Sequence, residues 1–170
     1  MKLYLRPMKE EKIVSAEEAR ALGNEMRENG RKLVFTNGCF DLIHVGHVRY
    51  LQAARALGDA LVVAINGDES VRALKGQGRP LNRAQDRAEV IAALECVDRV
   101  VIFSEVRATE LIETVRPAIY VKGGDYTEES LHSEERAVLK RIGTDVRILP
   151  LEAGHSTSGL LEKIKRSGGP

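Results

Sequence analysis

Short apolar segments alternate with helical segments along most of this 170-residue chain, and that alternation limits the folds open to it. The apolar segments are apolar at successive positions, which is typical of strands covered on both faces. Strands are predicted at 32–36, 60–66, 99–103, 118–122 and 146–149. Helices are predicted at 47–57, 83–94, 109–115, 133–142 and 157–165. The pattern predicts an α/β fold with a doubly wound, five-stranded parallel sheet.

A further helix is predicted before the first strand. Ser15-Ala16-Glu17-Glu18 has the pattern of a capping box, and Gly30 is a stop signal after Asn29. We therefore expect an N-terminal segment with a helix at 1–30, one α/β domain at 31–166 and a frayed tail at 167–170.

The composition of the chain limits the classes of partner that we expect it to bind. The chain is 43% apolar and 30% charged, and its 26 basic and 25 acidic residues give a formal charge of +1. No global field attracts nucleic acid or anionic lipid, and no apolar run approaches the ~18 residues of a membrane span. The start lacks a signal-peptide pattern, so we expect a cytoplasmic protein with neither nucleic-acid nor membrane partners. The two cysteines are expected to be reduced thiols.

The most informative segment follows the first strand and contains His44-Val45-Gly46-His47 at the start of a helix. First-turn N–H groups lack intrahelical acceptors, and the helix dipole favours anions there. His44 and His47 are three residues apart on one side, and Gly46 leaves room for a ligand. The spacing predicts that two imidazoles hold one phosphoryl group.

A metal pair is the main alternative for these histidines. Zinc needs three or four ligands, whereas the chain has four histidines and two cysteines in all. His132, His155 and Cys96 show no ligand spacing with the pair. The phosphate site is therefore the favoured interpretation.

Ligands of such sheets bind beyond the carboxyl ends of the strands. After the second strand, a glycine-rich stretch with Lys75 and Arg79 suits a triphosphate, although a solvated turn has the same composition. Arg87 could bind phosphate or form a surface ion pair. Asn82 could cap the helix at 83–94, which carries Arg87. Residues 121–126, after the fourth strand, include two glycines and side chains of opposite charge. Residues 154–158, after the fifth strand, suit helix capping or phosphate binding.

The HxGH tetrad after Gly38-Cys39-Phe40-Asp41 resembles the nucleotidyltransferase superfamily of cytidylyltransferases, phosphopantetheine adenylyltransferase and class I aminoacyl-tRNA synthetases. From about Ser15 to Arg166 the chain also resembles the bacterial D-glycero-β-D-manno-heptose 1-phosphate adenylyltransferases. The motifs shared in order are T-N-G-C-F-D, H-V-G-H, L-K-G-x-G-R-P, D-R, V-K-G-G-D-Y and G-x-S-T-[ST]. Ser158-Gly159 departs from the family's usual threonine and asparagine. The resemblance implies a Rossmann-like HxGH nucleotidyltransferase fold.

It also implies transfer of AMP from ATP to the sugar 1-phosphate, giving ADP-heptose for lipopolysaccharide and pyrophosphate. Mg²⁺ would enter with the nucleotide. No kinase half fits in 170 residues, so a separate heptose kinase and phosphatase are expected, as is a homo-oligomer. Implied catalytic residues are His44, His47 and Lys75. Implied nucleotide contacts are Thr36, Asn37, Gly38, Phe40, Gly46, Arg87, Lys122, Gly124, Asp125, Ser156, Thr157 and Ser158. Implied substrate contacts are Asp41, Asn66, Asp68 and Arg79.

Two other functions stay open. A cytidylyltransferase acting on glycerol 3-phosphate shares the first motif, but such enzymes tend toward a G-D-D-like element where this chain has Lys122-Gly123-Gly124-Asp125. A regulatory nucleotide-binding module would be expected to lose a histidine, and both are present.

Overall fold

The computed structural model describes residues 9–124, 127–150 and 157–167. The strands there are β1 (Leu33–Gly38), β2 (Ala60–Asn66), β3 (Arg99–Phe103), β4 (Ile119–Gly123) and β5 (Asp145–Leu149). The helices are α1 (Lys9–Lys12), α2 (Ala16–Glu28), α3 (Val45–Arg55), α4 (Asp68–Lys75), α5 (Ala84–Ala92), α6 (Thr109–Val115), α7 (Ser133–Ile142) and α8 (Thr157–Ser167). A 3-10 turn spans Glu128–Ser130.

All five strands are parallel, in the order β3-β2-β1-β4-β5. The chain adds β2 and β3 on one side of β1, then crosses to add β4 and β5 on the other. The direction of winding therefore reverses between β1 and β4, which is where such sheets bind ligands. The predicted α/β fold with a doubly wound parallel sheet is confirmed.

Apolar clusters on both faces attach the helices to this sheet. On one face α2, α6 and α7 contribute Met26, Ile112 and Leu139. On the other face α3 and α5 contribute Leu51 and Ile91. Every residue of β2 is buried, which explains why that segment is apolar throughout. None of the helices in the described part of the chain is long and apolar enough to cross a membrane.

The N-terminal helix matches its sequence signals. Glu18 N–H donates to Ser15 Oγ at 3.2 Å, and Ser15 N–H donates to Glu18 Oε2 at 2.8 Å, as a capping box requires. Gly30 follows the helix with φ +65°. Because α2 packs in the same apolar cluster as α6 and α7, this segment shares the core of the sheet domain.

The segment after β2 differs from its prediction. The sequence indicates a loop there, yet the structure has α4, an eight-residue helix between Gly67 and Gly76. Only Ser70 and Val71 of this short helix are buried, so few apolar positions were available to indicate it. Asn82 does not cap α5; instead the Asp68 carboxylate accepts from Ala84 N–H at 2.8 Å.

The boundaries of β1 and α3 also shift. Asn37 and Gly38 extend β1 beyond its predicted end at residue 36 and pair with β2. The helix α3 begins at Val45, two residues before the predicted start, because His44 caps it.

Candidate active site

The turn between β1 and α3 uses both histidines as helix caps. His44 is the N-cap residue, and its Nδ1 accepts from Gly46 N–H at 3.2 Å. The Nδ1 of His47 accepts from His44 N–H at 3.4 Å. A ring nitrogen that accepts a hydrogen bond carries no proton, so the proton of each neutral ring lies on Nε2. Both imidazoles are therefore Nε2–H donors, the form that binds an anionic oxygen.

The two rings also pack against each other and against Phe40. Ring centroids are 4.0 Å apart between His44 and His47, and 5.6 Å apart between Phe40 and His47. Burial, and then the neighbouring His44, lower the pKa of His47 from 6.5 to about 4. The imidazole is neutral at pH 7, and a bound phosphate would raise its pKa.

The strand ends open into a cleft of about 620 Å³. Its floor includes Asn37, Gly38, Asn66, Lys122 and Gly123. One wall, called here the α3 wall, consists of Phe40, Asp41, His47, Lys75 and Arg79. The other, called the α7 wall, consists of Val106, Arg107, Ser130, Leu131, His132 and Glu135. The walls belong to opposite faces of the sheet, since Phe40 and Leu131 lie in different apolar clusters.

The charge of the cleft suits a phosphorylated ligand. Four cationic side chains line it, namely Lys75, Arg79, Arg107 and Lys122. The carboxylates that line it are Asp41 and Glu135. With four cations against two carboxylates, and a helix N-terminus at its edge, the cleft favours anions.

Asp41 organises the glycine-rich segment. Its carboxylate accepts from Arg79 Nε at 2.7 Å and from the backbone N–H groups of Leu81 and Asn82 at 2.9 Å. Burial acts to raise the pKa of Asp41, but the donors of Asn82, Leu81 and Arg79 outweigh it and hold that pKa below its ordinary value. Asp41 lines the cleft, yet its oxygens are occupied by the loop that carries Arg79.

Arg87 lies behind the α3 wall and outside the cleft lining. Its guanidinium is 1% exposed and donates to Asp68 Oδ1 at 2.8 Å, to Asn82 O at 2.9 Å and to Cys39 O. These bonds join the first motif to α4 and α5. Arg87 and Asp68 thus form an ion pair, and neither lines the cleft, while their predicted contacts with phosphate and substrate stay predictions.

Thr36 is likewise behind the cleft. It is fully buried, and its Oγ1 lies 2.7 Å from Tyr50 Oη. Since Tyr50 O–H donates to Val121 O at 3.1 Å, Thr36 donates to Tyr50. The hydroxyl predicted to contact nucleotide therefore links β1 to α3 and β4.

Asn37 and Lys122 meet on the floor of the cleft. Asn37 Oδ1 accepts from Tyr120 O–H at 2.7 Å and from Lys122 Nζ at 3.3 Å. Burial lowers the pKa of Lys122, Glu135 opposes that shift, and Arg107 adds to it. The structure thus brings these two predicted nucleotide contacts together across β1 and β4.

The α7 wall was not anticipated from the sequence. Its loop after β3 follows a strand end, so the rule applied to the other strands would have singled out Val106 and Arg107. Ser130, Leu131, His132 and Glu135 follow no strand directly and carry no comparable signal. Two buried side chains fix the loop: Asn66 Nδ2 donates to Glu105 O at 3.4 Å, and Glu135 Oε1 accepts from Ala108 N–H at 3.2 Å.

The remaining predicted residues are placed as follows. Gly46 is buried in the first turn of α3, Lys75 ends α4, and Gly124 follows β4 with φ +105°. Asp125, Tyr126 and Ser156 lie outside the described residues. Thr157 and Ser158 begin α8, but their side chains are outside the description too.

No group of three or more His, Cys, Asp or Glu side chains that could hold a metal ion occurs within 9–124, 127–150 and 157–167. Asp41 is the carboxylate nearest the histidine turn along the chain, and its oxygens are already occupied by N–H donors.

Comparison with known proteins shows the family to which the chain belongs. The cytidylyltransferase-like family matches residues 35–161. The bifunctional protein HldE of Geobacter metallireducens is 48% identical over 157 residues, which cover 92% of this chain and 30% of that protein. HldE of Syntrophotalea carbinolica is 51% identical over 138 residues, covering 81% of this chain and 28% of that protein. The chain thus spans about 30% of the length of these relatives.

Two solved structures are also similar to this chain. The lipopolysaccharide core biosynthesis protein from Thermoplasma volcanium is 30% identical, with a TM-score of 0.60, covering 72% of this chain and 98% of that one. The pantoate-beta-alanine ligase from Francisella tularensis shares the fold alone, at 14% identity and a TM-score of 0.55, covering 86% of this chain and 69% of that one. The resemblance stated from the motifs is confirmed. This chain belongs to the cytidylyltransferase-like family of nucleotidyltransferases.

Proposed function

We propose that this chain transfers AMP from ATP to D-glycero-β-D-manno-heptose 1-phosphate, giving ADP-heptose and pyrophosphate. The observation that carries the proposal is the pair of neutral Nε2–H imidazoles at the entrance of α3, with His47 lining a cationic cleft. The heptose and the adenine come from the motif resemblance, and the HldE relatives support them.

The chemistry asks little of a general base. An oxygen of the acceptor phosphate, already an anion, forms a bond to the α-phosphorus while the bond to the β-phosphate oxygen breaks and pyrophosphate leaves. The barrier is mainly charge crowding, so positioned donors lower it. His47 and His44 donate to α-phosphate oxygens, and Lys75 neutralises phosphate charge. Lys122 and Asn37 lie on the floor of the cleft, between the nucleotide and the acceptor. Mg²⁺, when bound with the nucleotide, would be held by phosphate oxygens and water and would screen the charge of the triphosphate.

The nearest competing function is cytidylyl transfer to glycerol 3-phosphate. The matched family is described as cytidylyltransferase-like, which is compatible with this function. Pyrophosphate release with each nucleoside triphosphate and a panel of sugar 1-phosphates and glycerol 3-phosphate separates the two. We expect kcat/KM for ATP with the heptose 1-phosphate to exceed that for CTP with glycerol 3-phosphate by tenfold to several hundredfold, because one or two base-edge hydrogen bonds are worth about 1 to 3 kcal/mol each. An equal or reversed ratio contradicts the acceptor and base assignment.

The proposal extends to the setting of the reaction. The enzyme works in the cytoplasm, where ATP is supplied, as a homo-oligomer whose sugar 1-phosphate is provided by a heptose kinase and a phosphatase activity of the same pathway. A regulatory module without turnover is the other outcome of the same assay, and the intact histidine pair argues against it.

A further inference from the structure

Arg107 is an exposed cation on a loop whose backbone is held in place. On one side of it, buried Asn66 donates to the carbonyl oxygens of Glu105 and Val106 at 3.4 and 3.5 Å. On the other side, buried Glu135 accepts from Ala108 N–H at 3.2 Å. Two buried polar side chains thus fix the loop that carries one arginine into the cleft.

The Arg107 guanidinium has no hydrogen bond or ion pair with any residue in the described part of the chain, although it lines the cleft. Its charge is close enough to Lys122 to lower the pKa of that amine further than burial alone. Two cations that repel each other in one cleft gain when an anion binds between them.

His132 adds a third group on the same wall. Its Nδ1 is buried and has no hydrogen-bond partner among the described residues. Buried polar nitrogens are nearly always paired, so this one calls for a ligand or water. His132 is the N-cap residue of α7, but its side chain makes no capping hydrogen bond.

We propose that Arg107, Lys122 and His132 form a second phosphate subsite, which binds the attacking phosphate of the acceptor. This inference rests on the proposed function, because it divides the cleft between two phosphorylated substrates. Attack in line with the departing pyrophosphate requires two anions to meet at about 3 to 3.5 Å, so the acceptor needs cations of its own. On the α3 wall, Arg79 is already paired with Asp41, whereas Arg107 is available.

Binding of inorganic phosphate tests the subsite without turnover. The protein is saturated with α,β-methylene ATP and Mg²⁺, which occupy the α3 wall, and phosphate is titrated by calorimetry. We expect Arg107→Gln to weaken phosphate binding at least tenfold, Arg107→Lys to restore part of it, and His132→Ala to weaken it several-fold. Arg83→Gln is the matched control, since Arg83 has an 85% exposed side chain on the surface outside the cleft.

Steady-state kinetics then identify the phosphate. Arg107→Gln should raise the KM of the acceptor at least tenfold while the KM of ATP stays within twofold. Equal weakening of α,β-methylene ATP and phosphate would assign Arg107 to the triphosphate and overturn the proposal. Phosphate binding that is absent, or unchanged in Arg107→Gln, would overturn it as well. If phosphate binding depends on Arg107 but the heptose 1-phosphate is not a substrate, the subsite stands and the proposed acceptor fails.

Discussion

The two walls of the cleft differ in how far their polar groups are satisfied. On the α3 wall, Asp41 and Arg79 hold each other, and behind them Arg87 donates to three acceptors and Thr36 to Tyr50. On the α7 wall, Arg107 and the Nδ1 of His132 have no partner among the described residues. The motif-rich wall is a prearranged framework around the histidines, while the wall without motifs presents free groups. Conspicuous charge in a sequence therefore does not identify which side chains are available to a ligand.

The largest expected effect concerns Arg87. Arg87→Met should lower the free energy of unfolding by about 3 to 5 kcal/mol, because two carbonyl oxygens lose their donor and Asp68, which keeps its bond from Ala84 N–H, loses its ion pair. Chemical denaturation measures this, with Arg83→Met as the control on the exposed side of the same turn. A stable Arg87→Met protein that has lost ATP affinity would instead place Arg87 at the phosphates and remove the contrast.

Next in size is the effect of the histidines on rate. His47→Ala and His44→Ala should each lower kcat by roughly 10² to 10³, or about 2.7 to 4 kcal/mol, since their bonds strengthen as charge develops on the α-phosphate. The Kd of ATP should change far less than kcat. Steady-state kinetics on folded variants provide the measurement, and near-wild-type turnover in both would exclude the pair from the mechanism.

Acid stability gives an independent view of His47. Its folded pKa of about 4 lies below its ordinary 6.5, so the unfolded chain binds the proton first and stability falls as pH drops from 6.5 toward 4. The loss is at most about 3 kcal/mol, and less because the ring is partly exposed. In His47→Asn this part of the pH dependence should vanish. Identical slopes for the two proteins between those pH values would contradict the assigned neutral state.

A smaller effect distinguishes a framework role from a ligand role for Thr36. Thr36→Val should cost about 1 to 2 kcal/mol of stability, because Tyr50 loses its donor, while the Kd of ATP stays unchanged. Paired denaturation and nucleotide titrations decide between them. If ATP binding weakens tenfold at unchanged stability, the hydroxyl is a nucleotide contact, as first predicted.

The smallest effect is expected for the metal. Mg²⁺ titrated into nucleotide-free protein should give weak binding, whereas titration with ATP present should show the metal entering with the nucleotide. Tight binding without nucleotide would reveal a protein site for the metal and contradict the proposed mode of entry.

Several features of the molecule were determined by local sequence. Apolar runs predicted the inner strands β1, β2 and β4 because both faces of these strands are covered. The Ser15 capping box and Gly30 bounded α2 because caps act within a few residues. The H-V-G-H spacing predicted the start of a helix with two adjacent imidazoles, because residues three apart lie on the same side of a helical turn. These signals arise from neighbours along the chain, so the chain alone shows them.

Tertiary structure decided which groups are already occupied. Arg87 and Asp41 have the residue types of a phosphate or metal site, but their partners are 19 and 38 residues away in sequence. Helix α4 was not predicted because it is only eight residues long and buries only Ser70 and Val71. The α7 wall exists because α6 and α7 cover the face of the sheet opposite to α3 and α5. The fold decides whether a side chain meets a hydrogen-bond partner that is distant in sequence. A local sequence pattern therefore does not show which polar side chains are already paired.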